Sequence, residues 1–226
     1  MVASPYESHR DIHWDFRVVN KKELCFPNFP SSYVELRRLH SLLIDVLIQT
    51  AINGLGVAIT PKPYDDFEQS PYAGLPSSSI DAAWHYLLEP TTIRVTPGEL
   101  NRSNQTSVPL PGGGYMAWLG VFHELHCIKM VRQWVYRDHY YPNITEDEFE
   151  ESSIHADHCL DILRSAALCH GDTTLTTFGW TNKSKPQLNT RPINHKCVDW
   201  KQLVVSVEDR VVQREEMEAM VNPNLQ

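Results

Sequence analysis

Apolar residues recur at three- and four-residue steps through most patterned stretches of this chain, which predicts a mainly α fold with short β segments and long irregular loops. The longest apolar run is Leu39 to Ile59. Asp45, Gln49 and Asn53 interrupt it at four-residue spacing and share one stripe, so residues 36–59 read as an amphipathic helix against a core rather than a membrane span. Residues 61–79 are turn chemistry. A short helix then begins near Ser79, with Ile80, Ala83, Trp84 and Leu87 on one face, and stops before Pro90. Thr91 to Thr96 has strand composition, and Asn101 to Gly114 is a polar, Pro/Gly-rich loop.

The clearest periodicity lies further on. Tyr115 to about His139 carries Leu119, Phe122, His126, Met130 and Trp134 at helical steps. Tyr140-Tyr141-Pro142-Asn143 breaks it. Thr145-Glu146-Asp147-Glu148 is a capping box that opens a second helix, which runs to about His170 and ends at Gly171. Residues 171–200 look irregular, with strand-like pieces around Thr173 to Trp180. Val205 to Met220 reads as a solvated C-terminal helix. The expected organisation is an N-terminal arm and helix over 1–60, a central domain over 61–205 and a helical tail over 206–226.

Composition narrows the function classes. The 226 residues are 42% hydrophobic and 10% aromatic, enough to bury a core. A net charge of −8 without any Lys/Arg-rich run speaks against nucleic acid as a partner. The first 35 residues carry Glu7, Arg10, Asp11, Asp15, Arg17, Lys21, Lys22 and Glu23 and no apolar core, so they do not read as a signal peptide. Four N-glycosylation sequons, at Asn101, Asn104, Asn143 and Asn182, point nonetheless to a secretory lumen, with membrane association left open.

Histidine is the unusual residue, with eleven in the chain, and four of them sit in a repeated motif. His123-Glu124-Leu125-His126-Cys127 and His155-Ala156-Asp157-His158-Cys159 are both HxxHC, and the second begins 32 positions after the first. Residues at i, i+3 and i+4 share a helix face, so each motif offers two imidazoles one turn apart. The turn between them predicts an antiparallel helix pair carrying the two motifs face to face. His123, His126, His155 and His158 would then form one metal site. Imidazole suits Zn, Cu, Fe and Ni alike, so ligand type leaves the metal open. Glu124, Asp157 and Asp161 are candidate supporting carboxylates. Cys127 and Cys159 have two readings, a disulfide across the helix pair or thiolate ligation. Cys169 and Cys197 are a possible second bridge, leaving Cys25 spare. Phe122, Trp84 and Trp134 read as core, and His139, His170 and His195 carry little signal alone, though a fold-back could add His195-Lys196-Cys197 to a site. Arg132 and Arg164 read as helix ion-pair residues.

Taken with these motifs, Tyr72-Ala73-Gly74-Leu75-Pro76, Ile80-Asp81-Ala82-Ala83-Trp84 and His195-Lys196-Cys197-Val198-Asp199 make the chain resemble the fungal UstYa family of oxidases over roughly residues 70 to 205. The resemblance implies an oxidoreductase of secondary metabolism, in mycotoxin or cyclic-peptide pathways. It implies oxidative cyclisation, desaturation, hydroxylation or halogenation of a small-molecule or peptide intermediate. It also implies that His123, His126, Cys127, His155, His158 and Cys159 form the active site around a redox metal, copper preferred and iron second, that activates O2. Family members commonly carry an N-terminal membrane anchor, from which this chain's start departs, so a soluble form is one expectation. A paralogous oxidase is the expected protein partner, as a homo- or hetero-oligomer. The competing readings are a hydrolytic zinc site with Glu124 or Asp157 as base, or a zinc- or disulfide-stapled accessory protein of the same pathway.

Overall fold

The computed structural model describes Leu55 and residues 58–64, 70–189 and 193–222, all within the unit spanning residues 45–226. About half of the described chain is helical, with short strands between. Among the described residues no helix is long and apolar enough to cross a membrane. The helix expected over 36–59 lies almost wholly outside the described residues. Its last residue, Ile59, instead opens strand β1 (Ile59–Pro63).

Strand β1 pairs antiparallel with β6 (Asn194–Val198), placing Pro61 opposite Lys196 and Pro63 opposite Asn194. Residues 61–63 are therefore strand where turn chemistry was expected. Proline donates no ladder hydrogen bond, and a two-stranded ribbon has only edges, so both prolines are tolerated.

Helix α1 (Ser78–Leu88) starts where Ser77 accepts a hydrogen bond from the Ile80 N–H, and it buries Trp84. The Trp84 indole donates to the Tyr72 carbonyl at 3.1 Å, which ties the Tyr-Ala-Gly-Leu-Pro segment to this helix. Strand β2 (Thr92–Val95) follows, then a helix the sequence reading missed, α2 (Pro97–Arg102). Thr96 and Glu99 form its reciprocal capping box, with Pro97 at the first helical position.

Strand β3 (Tyr115–Trp118) pairs antiparallel with β2, and Trp118 lies opposite Thr92. The helix expected from Tyr115 thus starts five residues later. Three glycines, 112–114, turn the chain back onto β2, and the bulky Tyr-Met-Ala-Trp run suits a pleated surface. Gly114 is obligatory there, because at φ +73° a Cβ would stand 2.9 Å from the Arg94 side chain and 3.0 Å from the Val95 carbonyl.

Helices α3 (Gly120–Val135), α4 (Arg137–Tyr140) and α5 (Glu146–His170) come next. Thr145 and Glu148 cap α5 reciprocally, and Gly171 closes it in the left-handed conformation. Strands β4 (Phe178–Gly179) and β5 (Gln187–Leu188) form a minimal ribbon.

After β6 come α6 (Trp200–Val205), a 3₁₀ turn (Glu208–Arg210) and α7 (Arg214–Glu218). The continuous helix expected over 205–220 is therefore broken. Val211 bridges Ile93, the Val212 N–H donates to the Thr92 carbonyl at 2.9 Å, and Val207 is fully buried with Ile93 and Val95. Burial of β-branched valines against strand β2 outweighs the helical periodicity. Two ion pairs hold this segment in place, Arg210 to the buried Glu99 at 3.0 Å and Arg94 to Glu216 at 2.7 Å.

Candidate metal centre

The HxxHC pattern occupies an arc of about 100° on a helix at 3.6 residues per turn, with the first histidine inside the arc and the second histidine and the cysteine at its two edges. Both copies use it the same way. Cys127 on α3 and Cys159 on α5 are fully buried, whereas His123, His126 and His155 are half-buried and His158 is exposed. Small, buried Ala156 lets α3 and α5 approach closely. On its other side α3 buries Phe122 against Trp200, with ring centroids 5.5 Å apart.

The four imidazoles gather between the two helices. Ring centroids lie 6.2 Å apart for His123 and His158, 6.0 Å for His126 and His155, and 6.4 Å for His155 and His158. Further along, Trp134 meets Phe149 at 5.1 Å. The pairings descend α5 as they ascend α3. Desolvation, followed by neighbouring His155 and His123, lowers the pKa of His126 and favours the neutral, ligand-competent imidazole.

Among the described residues no three His, Cys, Asp or Glu side chains converge tightly enough to hold an ion as they stand. The shortfall is small. Two imidazoles bound through nitrogen at ~2.0–2.1 Å place their centroids about 5.2 Å apart at a tetrahedral angle and about 6.4 Å apart when opposed. The observed 6.0–6.4 Å exceeds the tetrahedral spacing, and closing it takes a shift of about half an ångström per ring. The donor set therefore fits a borderline transition metal.

The Cys127 and Cys159 thiols touch beneath the histidines. Burial first, and then the hydrogen bond that Cys159 makes to Cys127, pushes the Cys159 thiol up to about 12. All four described cysteines are free thiols: these two, exposed Cys169 at the end of α5, and half-buried Cys197 on β6.

The candidate carboxylates divide. Asp161 forms a 2.7 Å ion pair with Arg164 and lies within electrostatic reach of His158. Glu124 stands 3.8 Å from His170, and Asp157 is exposed. Arg132 does not make a helix ion pair: it donates to the Gly74 carbonyl at 2.9 Å and lies over the Tyr136 ring.

The role of Trp118 and the partners of His195 escaped the sequence reading. Trp118 stands edge-on to His126 at 5.5 Å and 6.3 Å from His123, and its indole N–H donates to Thr92 Oγ1 at 2.9 Å. The signal was an aromatic residue immediately ahead of a helix start. His195, buried and weak as a lone histidine, shares a 2.6 Å hydrogen bond between its Nδ1 and Asp172 Oδ2, and it stacks on Tyr64 at 3.7 Å. Hydrogen bonds from Thr174, then from His195, hold the Asp172 carboxyl well below the usual carboxylate range. This cluster closes the far end of α5, roughly 18 Å of helix beyond His158, and its residues pin β1 and β6 there. All four sequon asparagines, Asn101, Asn104, Asn143 and Asn182, are exposed.

With this geometry in hand, comparison with known proteins is informative. Residues 23–204 match the family model described as mycotoxin biosynthesis protein UstYa. The UstYa family oxidase phomYc of Diaporthe leptostromiformis is 33% identical over 121 residues, covering 49% of this chain and 47% of that protein. The oxidase ustYa of Aspergillus flavus is 32% identical over 135 residues, covering 57% of this chain and 58% of that protein. The UstYa family oxidase phomYb of Diaporthe leptostromiformis is 29% identical over 153 residues, covering 64% and 56% respectively. The chain spans about half the length of the curated relatives it matches. No solved structure matches it.

Proposed function

Because the chain belongs to the UstYa family, we propose that it is an oxidase of fungal secondary metabolism whose active site is the four-histidine group between α3 and α5. The observation that carries this reading is the gathering of His123, His126, His155 and His158 at 6.0–6.4 Å from two separate helices. In this reading α3 and α5 are an antiparallel pair, and each HxxHC motif supplies two imidazole donors to one ion. A redox metal, copper first and iron second, would supply the one-electron and O2 chemistry when bound. The substrate is a peptide or small-molecule intermediate of a mycotoxin pathway, cyclised, desaturated, hydroxylated or halogenated. The relatives' names support an oxidase, the family model's description supports a mycotoxin pathway, and the four exposed sequons support a secretory lumen.

The chain's own residues contribute positioning and exclusion. Half-burial keeps bulk water off the inner imidazoles, and the Trp118 indole covers His126 on one side. Asp161, paired with Arg164, adds negative charge near His158. Cys127 and Cys159 join the two helices directly under the histidines. In an oxidising lumen these adjacent thiols would close to a disulfide, losing two electrons and two protons to an oxidant such as a disulfide oxidoreductase.

The test is product formation by the purified chain or an expressing host, followed by mass spectrometry. His126→Ala and His158→Ala should each lower turnover by at least about 10³-fold, with far-UV circular dichroism unchanged because alanine is a strong helix former. Wild-type turnover in either variant would refute the shared site.

A further inference from the structure

Helix α3 presents His123 and His126 on one face, but its own first turn does little to fix them. Leu119 at the N-cap makes no side-chain hydrogen bond to that turn. Trp118, the last residue of β3, reaches back over it instead. Its ring lies 5.5 Å from His126 at 61° and 6.3 Å from His123 at 60°. One indole therefore meets both imidazoles of the first motif. Each of these also neighbours an imidazole of the second motif, His126 beside His155 at 6.0 Å and His123 beside His158 at 6.2 Å.

The indole is itself aimed by contacts that run into the core. Its N–H donates to Thr92 Oγ1 at 2.9 Å, and Thr92 lies directly opposite it in the β2–β3 ladder. Thr92 is 8% exposed, and its carbonyl accepts the Val212 N–H at 2.9 Å. The next residue, Ile93, is fully buried with Val95 and Val207. A β-branched side chain is stiff at χ1, so this fixed backbone also fixes the hydroxyl. Trp118 is 43% exposed. Its N–H could bond to water instead, so the bond to Thr92 contributes direction more than stability.

We propose that Trp118, aimed by Thr92, is a positioning residue of the metal centre, which confines His126 and His123 to the rotamers that face α5. This role rests on the four-histidine reading above and adds to it two residues outside both HxxHC helices. An imidazole free to rotate loses side-chain entropy when it takes up an ion. One already confined by a neighbouring ring has lost that freedom on folding, so the same four donors bind more tightly.

The test is a Cu(II) titration of the metal-free full-length chain against a chelator of known affinity, with electron paramagnetic resonance of the loaded forms. Thr92→Val keeps the indole and the shape of residue 92 but deletes the acceptor. It should weaken Cu(II) binding about tenfold, the lower end of what losing a ligand-orienting partner costs, and broaden or split the copper spectrum. Trp118→Phe, at a partly exposed position, should do the same and serves if Thr92→Val folds poorly. Thr92→Ser restores the hydroxyl, so affinity and spectrum should return to within about twofold of wild type. Urea unfolding midpoints are recorded alongside. A brace that only stabilises the fold would lower the midpoint and leave the affinity and spectrum of the folded protein unchanged. That result, or no rescue by Thr92→Ser, would overturn the positioning role alone. Imidazole sites favour Cu(II) among the divalent metals. Failure of the wild-type chain to bind it would therefore overturn the four-histidine reading, and the positioning role with it.

Discussion

Each HxxHC motif divides its labour by a rotation of one residue. His126 and His158 sit at the edge of the helix interface, while Cys127 and Cys159, about 100° further round, are driven into the seam. Burial decides their chemistry. In the native chain Cys169 should be alkylated readily by iodoacetamide, whereas Cys127 and Cys159 should stay unmodified until denaturant and reductant are added. Peptide mass mapping reads the outcome, and labelling of Cys127 at the Cys169 rate would contradict the buried seam. Non-reducing mass analysis of the same peptides shows whether the pair has closed to a disulfide. The histidine positions were legible in the sequence because spacing alone puts i and i+3 on one face. Trp118 was not, because its role depends on β3 pairing with β2, a contact between segments more than twenty positions apart. The partners of His195 stayed hidden for a similar reason: Asp172 and Tyr64 come from just beyond α5 and just beyond β1.

At the level of elements, local signals were the reliable ones. The capping box at Thr145 and Glu148 and the glycine at 171 set both ends of α5, since each is satisfied by neighbours within four residues. Thr145→Ala should cost about 1 kcal/mol of stability in urea unfolding. The same cap gives a pH dependence. Hydrogen bonds from the Thr145 backbone and hydroxyl hold the Glu148 carboxyl below its ordinary value. A depressed folded pKa stabilises fully above the unfolded value of about 4.3 and is lost as pH falls through it toward the folded value. Wild type should therefore lose more stability than Glu148→Gln between pH 6 and about pH 3, and equal losses would remove the cap from the account. Elements that depend on distant partners were misread. Tyr115–Trp118 and Val207–Val212 carry helical periodicity, yet both pair with β2, and the valines bury better there than on a solvated helix.

Across the whole described unit, strand β2 is the hub. It receives β3, the C-terminal valines and, through Arg94, the carboxylate of Glu216. That arrangement aims Trp118 at the histidines. Arg132 and Tyr140 hold the opposite flank, joining α3 and α4 to Gly74 and Asp81. Two of the three motif blocks that flank the HxxHC pair thus act by positioning α3. A largely helical chain with short strands was readable from periodicity; the strand pairings that brace the helices were not. The central claim is that one redox metal sits between α3 and α5, held by four imidazoles. It is tested most directly by metal analysis joined to electron paramagnetic resonance on the purified chain. The account predicts about one copper or iron per chain with nitrogen hyperfine coupling, lost in a variant lacking both His126 and His158. Stoichiometric zinc without a redox metal, or redox metal retained by that double variant, would contradict it.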